Sequence, residues 1–268
     1  PGGAQAVVAG KDRSWRSWDL ATLTQPRRRL GPAPLNALLL TPDGKSLVTA
    51  CDDKLLQVWE LARGAAVREI KTDAQVISRL ALSPRGKLAI GYNEKIQLLD
   101  FRTGKREAVF DGYAGRVAVS FSTDGNVLAY SGPNNGIGLY DLVRGESLPG
   151  LRKHQQPVTS LGWKKDKTLI SGGRDGVVYL WREAALPDRS IDTGLPLWAL
   201  AVSPDEQTLA VGTQFGEVLL LDLNNPGEIR ARLEGHEREV TGLAFSADSR
   251  RLLSCSTDGT LLVWNLAN

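Results

Sequence analysis

Short apolar runs alternate with polar turns along the whole chain, and the runs keep a fixed register. A triplet centred on Trp, Tyr or Leu and closed by a polar residue returns seven times. The copies are Ser17-Trp18-Asp19, Val58-Trp59-Glu60, Leu98-Leu99-Asp100, Leu139-Tyr140-Asp141, Leu180-Trp181-Arg182, Leu220-Leu221-Asp222 and Val263-Trp264-Asn265. Their centres are separated by 41, 40, 41, 41, 40 and 43 residues. Chance does not hold such a register over a whole chain, so the sequence is a repeat.

Each period follows one order. An apolar run (38–41, 80–83, 119–122) meets a turn such as Pro42-Asp43-Gly44, Pro84-Arg85-Gly86 or Thr123-Asp124-Gly125. Pro presets φ, Asp bonds the local backbone and Gly tolerates positive φ. In the later copies, 165–167, 204–206 and 247–249, the glycine has drifted to another residue. A second apolar strand follows (47–50, 169–171, 209–212), then a tight turn such as Arg174-Asp175-Gly176 or Thr257-Asp258-Gly259. The third strand carries the aromatic anchor, and a weaker fourth follows it (67–71, 107–110, 229–233). The alternation is near two residues, with no sustained helical stripe. The pattern predicts an all-β chain with four short strands per period.

That period is the mark of propeller blades, and the chain resembles the WD40-repeat β-propellers. Trp18-Asp19 is its literal Trp-Asp dipeptide, and Gly235-His236 matches the family's Gly-His pair. The resemblance spans the chain and implies one domain, a seven-bladed β-propeller of four-stranded antiparallel blades. The blades would be 1–33 (incomplete), 34–74, 75–115, 116–156, 157–195, 196–238 and 239–268 (incomplete). The first copy starts at its second strand (6–9), and the last ends after its third (261–266). Both missing strands would precede Pro1, since relatives close their ring by mixing the termini.

The resemblance also assigns a buried polar tetrad. Two copies hold it in full: His154, Ser171, Asp175 and Trp181, then His236, Ser254, Asp258 and Trp264. In both, Ser stands four before Asp and Asp six before Trp. The expected network has the indole donating, Ser bridging and Asp fixing the His tautomer. Partial tetrads are Thr49, Asp53 and Trp59, and Asp12 with Trp18. Asn93, Asn134 and Phe215 stand at the Asp position of three other copies.

Composition narrows the function. The chain has 268 residues with 33 basic and 30 acidic side chains, a net +3 that does not suggest a nucleic-acid partner. No apolar run is long enough for a membrane-spanning helix. Two cysteines, Cys51 and Cys255, make no disulfide framework, which points to a cytoplasmic setting. The chain begins at Pro1 and lacks Met, the expectation being a piece cut from a larger protein. A Ser, a His and an Asp together suggest a hydrolase, but their duplication at matching offsets without a nucleophile elbow makes them structural. Both histidines are consumed this way, leaving no His for a metal or a general base, and no cofactor is expected. Arg27-Arg28-Arg29 falls where an outer strand belongs, and edge charges oppose strand pairing. A competing class is a propeller enzyme with a central-channel site, which needs polar first strands; here those strands (38–40, 80–82, 200–202, 243–245) are apolar or small.

By resemblance, the face shared by fourth-to-first-strand loops and second-to-third-strand turns takes partners. Its outward positions would include Asn36, Val117, Thr159 and Trp198 in first strands, and Tyr92, Arg174 and Gln214 before the turn Asp, with Phe215 replacing that Asp. Aromatic residues and Arg dominate interface hot spots, so the partner-binding candidates are Trp198, Phe215, Arg174, Gln214, Tyr92 and Asn36. Trp198 could alternatively fill core beside the small anchor Leu221. The reading is a monomeric, non-catalytic scaffold for another protein or another domain of its parent chain. By resemblance, such propellers occur in bacteria appended to kinases, caspase-like proteases or signalling ATPases.

Overall fold

The computed structural model describes residues 5–10, 12–19, 27–51, 54–74, 76–113, 115, 117–182, 187–225 and 228–266. These hold twenty-six strands and no helix. The strands form seven antiparallel meanders in chain order, the blades of an all-β propeller. The chain divides into two compact units, Gly3–Val119 and Ser120–Asn268.

The first unit holds three sheets. The first joins β1 (Gln5–Ala9), β2 (Ser14–Asp19) and β3 (Arg27–Leu30). The second joins β4 (Leu35–Leu40), β5 (Ser46–Cys51), β6 (Leu55–Glu60) and β7 (Ala65–Lys71). The third joins β8 (Ile77–Leu82), β9 (Lys87–Tyr92), β10 (Lys95–Asp100) and β11 (Arg106–Asp111). Val48, Leu56, Val58, Ile77, Leu88, Ile90 and Leu99 make one continuous core between the second and third sheets. Trp15 stands edge-on to Trp59, ring centres 5.7 Å apart, in a second core between the first two.

The second unit opens with β12 (Val119–Phe121), which starts at the boundary, β13 (Val127–Ser131), β14 (Ile137–Asp141) and β15 (Glu146–Leu151). Next come β16 (Val158–Trp163), β17 (Leu169–Gly173), β18 (Val177–Trp181) and β19 (Arg189–Asp192). The third sheet is β20 (Leu197–Val202), β21 (Thr208–Thr213), β22 (Val218–Asp222) and β23 (Ile229–Leu233). The last is β24 (Val240–Phe245), β25 (Arg251–Ser256) and β26 (Leu261–Asn265). Among the described residues the first and last sheets have three strands each and the other five have four. Burying one large aliphatic side chain in such a core stabilises by about 1.5–3 kcal/mol.

Two local devices repeat. At the first corner a hydroxyl or ammonium group meets an Asp two residues on: Thr41–Asp43 at 2.5 Å, Ser122–Asp124 at 2.7 Å, Lys164–Asp166 at 3.1 Å, Ser203–Asp205 at 2.5 Å and Ser246–Asp248 at 2.6 Å. The next residue takes positive φ, Gly44 at 66° and Gly125 at 70°, and so do its drifted replacements Lys167 (67°), Glu206 (60°) and Ser249 (60°). Each replacement uses its side chain to reach the preceding sheet. Lys167 Nζ lies 3.2 Å from Asp124, Glu206 accepts the Lys165 N–H at 2.5 Å, and Ser249 Oγ accepts the Asp205 N–H at 3.2 Å. A left-handed conformation that disfavours side chains is thus coupled to a contact a glycine could not make.

The second device is a β-bulge at the second residue of first strands: Asn36, Ser78, Thr159, Trp198 and Thr241 each sit at a register shift. A bulge re-aims one side chain relative to the pleat. The outcome differs by residue. Thr159 is buried, with its hydroxyl 2.7 Å from the Leu197 carbonyl of the next sheet. Val117, outside β12, is buried as well. These two of the first-strand positions expected to point outward are interior, because they face the adjoining sheet.

Candidate protein-interaction surface

The tetrads explain how the loop ends are held. In the β16–β19 sheet, Trp181 Nε1 donates to Ser171 Oγ at 2.9 Å. Ser171 Oγ lies 2.8 Å from His154 Nε2, and His154 Nδ1 lies 2.9 Å from the Asp175 carboxylate. An ionised Asp only accepts, so Nδ1 carries the proton, Nε2 accepts, and the Ser171 hydroxyl donates to it. Asp175 also takes the Gln155 and Val177 N–H groups. Burial pushes its carboxyl up, but the His154 bond and these backbone donors outweigh that and hold it below the ordinary carboxylate range. The loop before β16 and the turn after β17 are thereby tied together.

The last sheet repeats the chain: Trp264 to Ser254 at 2.8 Å, Ser254 to His236 at 2.7 Å, His236 to Asp258 at 3.1 Å. Two participants escape the sequence reading. Thr260 Oγ1 stands 2.8 Å from His236 Nδ1 and donates to Asp258 at 2.6 Å. Tyr179 stands edge-on to His154, 4.7 Å between ring centres. Both lie outside the repeat's offset rule, and nothing in a single copy marks them. Burial raises the Asp258 carboxyl, and its bonds to Thr260 and Glu237 N–H bring it well below the usual range.

The partial tetrads diverge. Trp59 Nε1 donates to Thr49 Oγ1 at 2.9 Å, both buried, while Asp53 lies outside the described residues. The pairing of Asp12 with Trp18 is corrected. Asp12 instead takes the Ser14 hydroxyl at 2.8 Å and Arg16 at 2.5 Å, with Arg28 at 3.5 Å. The buried indole of that sheet is Trp15 and Trp18 is half-buried. Without a hydroxyl at Val8 the clamp has no bridge, and Asp12 turns to the guanidinium groups beside it. Asn93 (φ 37°) and Asn134 (φ 56°) are each followed by a second residue at positive φ, Glu94 and Asn135. Such two-residue turns favour Asn, so the Asp-to-Asn change goes with another turn type.

Phe215 is the outlier. It occupies the Asp position of the β20–β23 sheet and is 61% exposed. The clamp's interior sites hold Val211 and Leu221, both fully buried in an apolar cluster with Leu197, Leu209 and Leu219. The turn is held by Thr213 Oγ1, which accepts the Phe215 N–H at 3.3 Å and the Glu217 N–H at 3.1 Å. Gly216 (φ 91°) passes so near the His236 carbonyl that a Cβ would sit 2.2 Å from it. Phe215 is therefore presented on a fixed turn.

One turn earlier, Arg174 lies over the half-buried Trp198, its guanidinium carbon 4.6 Å from the ring centre. The Gln214 N–H donates to the Pro196 carbonyl at 2.9 Å, which brings the Phe215 turn to the strand start that carries Trp198. Arg174, Trp198, Gln214 and Phe215 thus follow one another along the loop end of two adjoining sheets of the second unit. Tyr92, at the end of β9, and Asn36, on the β4 bulge, are half-buried and belong to the first unit.

Comparison with known proteins agrees with this pattern. The family described as "WD domain, G-beta repeat" matches residues 24–60, 145–182 and 227–265. Those stretches hold the three Trp anchors bonded to a hydroxyl, Trp59, Trp181 and Trp264. "Target of rapamycin complex subunit wat1" of Schizosaccharomyces pombe is 26% identical over 82% of this chain and 74% of its own length. "Target of rapamycin complex subunit LST8" of Saccharomyces cerevisiae is 27% identical over 82% and 77%. "Cell division cycle 20.6, cofactor of APC complex" of Arabidopsis thaliana is 26% identical over 87% of this chain and 58% of its own. Among solved structures, a chain of a mitotic checkpoint complex superposes with a TM-score of 0.88 at 18% identity, covering all of this chain and 86% of that one. These relatives are eukaryotic, and the bacterial setting expected from the resemblance finds no counterpart among them. The repeat period, the blade topology and the three matched stretches together make the chain similar to the WD40-repeat β-propellers.

Proposed function

We propose that this protein is a non-catalytic scaffold that docks another protein on the Trp198–Phe215 face of its second unit. One observation carries the reading: a phenyl ring is 61% exposed at the position where the neighbouring blades hold the internal Asp. A ring fixed in water by a rigid turn contributes nothing to the core, yet it provides apolar area for a partner at little entropic cost. The Arg174–Trp198 stack and Gln214 beside it supply the aromatic, cationic and polar groups of which hot spots and their rims are made. The similar proteins, named as subunits and a cofactor of protein complexes, support the scaffold reading.

The test is the double variant Trp198→Ala with Phe215→Ala, measured against a partner isolated with the unmodified chain. Affinity should fall at least about tenfold, about 1.4 kcal/mol, while the melting temperature moves by no more than about 2 °C. A large loss of stability with unchanged affinity would assign both rings to packing and end the proposal.

A further inference from the structure

Arg174 carries its charge on this face without an internal acid to match it. Among the described residues it forms no ion pair, and unlike Arg152, Arg189 and Arg238, which are exposed, it is half-buried over an indole. The carboxylate next to it in sequence, Asp175, is taken by His154 and two backbone N–H groups. A guanidinium seated over an indole ring keeps its five N–H donors in its own plane, a fork that matches a carboxylate. Half-buried and stacked, it meets a carboxylate in a lower effective dielectric than a fully exposed Arg would.

The surroundings give the face a direction. On the Arg174 side, Arg152 and Lys153 are exposed in the loop before His154 and add positive charge. On the Phe215 side, Glu217 is already paired with Arg232 at 2.9 Å, and Glu237 and Arg238 of the next loop offset one another in sign. Basic side chains therefore stand toward one end and the exposed phenyl ring toward the other, with Trp198 and Gln214 between them.

We infer that the docked segment carries an Asp or Glu and a large apolar or aromatic side chain, the acid on Arg174 and the apolar group against Phe215. This rests on the docking reading above and names the chemistry of its partner. Both anchors are pre-organised, Arg174 by the indole beneath it and Phe215 by the Thr213 and Gly216 contacts, so a short extended peptide suffices.

A random linear peptide library displayed on phage, selected on the immobilised full chain, tests this. Enriched peptides are synthesised with a fluorophore and titrated by anisotropy against the unmodified chain, Arg174→Gln, Arg174→Lys and the Trp198→Ala/Phe215→Ala double variant. The enriched sequences should pair an acid with Phe, Trp, Tyr, Leu or Ile at one constant spacing. Arg174→Gln should weaken them about tenfold and flatten their salt dependence, with Arg174→Lys falling between. Peptides that lose binding in the double variant but lack the acid, or ignore Arg174→Gln, overturn this inference and leave the docking reading standing. Peptides that bind the double variant as well as the unmodified chain, or a selection that yields none, overturn both.

Discussion

In the β16–β19 sheet the third strand ends on Trp181, whose indole starts a chain of four polar groups closing on Asp175. In the adjoining β20–β23 sheet the same positions hold Leu221, Val211 and Phe215, and an apolar cluster replaces the chain. The two sheets share strand order, bulge position and corner turn. A blade therefore does not need the polar clamp in order to form. The clamp fastens the loop before the first strand to the turn after the second, and it commits the turn residue to the interior. Where Thr213 caps the turn instead, the residue at the Asp position is released to the surface. The loop end of one sheet is spent on its own order, and that of its neighbour is open to a partner.

The largest expected effect tests the apolar solution. Leu221→Ala empties a fully buried site with no polar group to rearrange around it, and should cost about 2–5 kcal/mol in chemical unfolding. If it costs no more than the clamp variants below, the cluster is not what replaces the clamp.

The polar solution should show a smaller effect with a pH signature. His154→Ala leaves Ser171 and Asp175 short of a buried partner and should cost about 1–3 kcal/mol. Asp175 is held below its unfolded value near 4. Its contribution is thus complete above that value and is lost as pH falls through the folded one. Unfolding measured from pH 7 downward should show the variant losing less stability with acid than the unmodified chain. Parallel curves would mean that Asp175 gains nothing from the imidazole.

The smallest effect sharpens the contrast. Phe215→Asp puts an Asp at the clamp position of a sheet whose Ser and Trp positions hold Val211 and Leu221. With no imidazole to meet it, stability should change by less than about 0.5 kcal/mol. A gain beyond about 1 kcal/mol would show that a carboxylate alone rebuilds part of the clamp.

The repeat length, the all-β class and the turn positions were legible in the residues, because each depends on local offsets; the two full tetrads came from the family resemblance, since His154 and Asp175 stand 21 residues apart. Turn chemistry acts over three or four residues, and strand alternation over two. What faces an adjoining sheet is not local, and there the residues alone were silent. Trp15 and Trp18 are both tryptophans of one strand, and only packing against Trp59 decides that Trp15 is the buried one. Thr159 and Trp198 occupy corresponding bulges of adjoining sheets, yet one bonds inward to the next sheet and the other lies beneath Arg174. Likewise the drift from Gly to Lys167, Glu206 and Ser249 reads as loss of a turn signal until the sheets are assembled and each side chain is seen to reach its neighbour. Sequence sets the content of each blade; the side chains that link or expose blades are chosen by contacts about forty residues away along the chain.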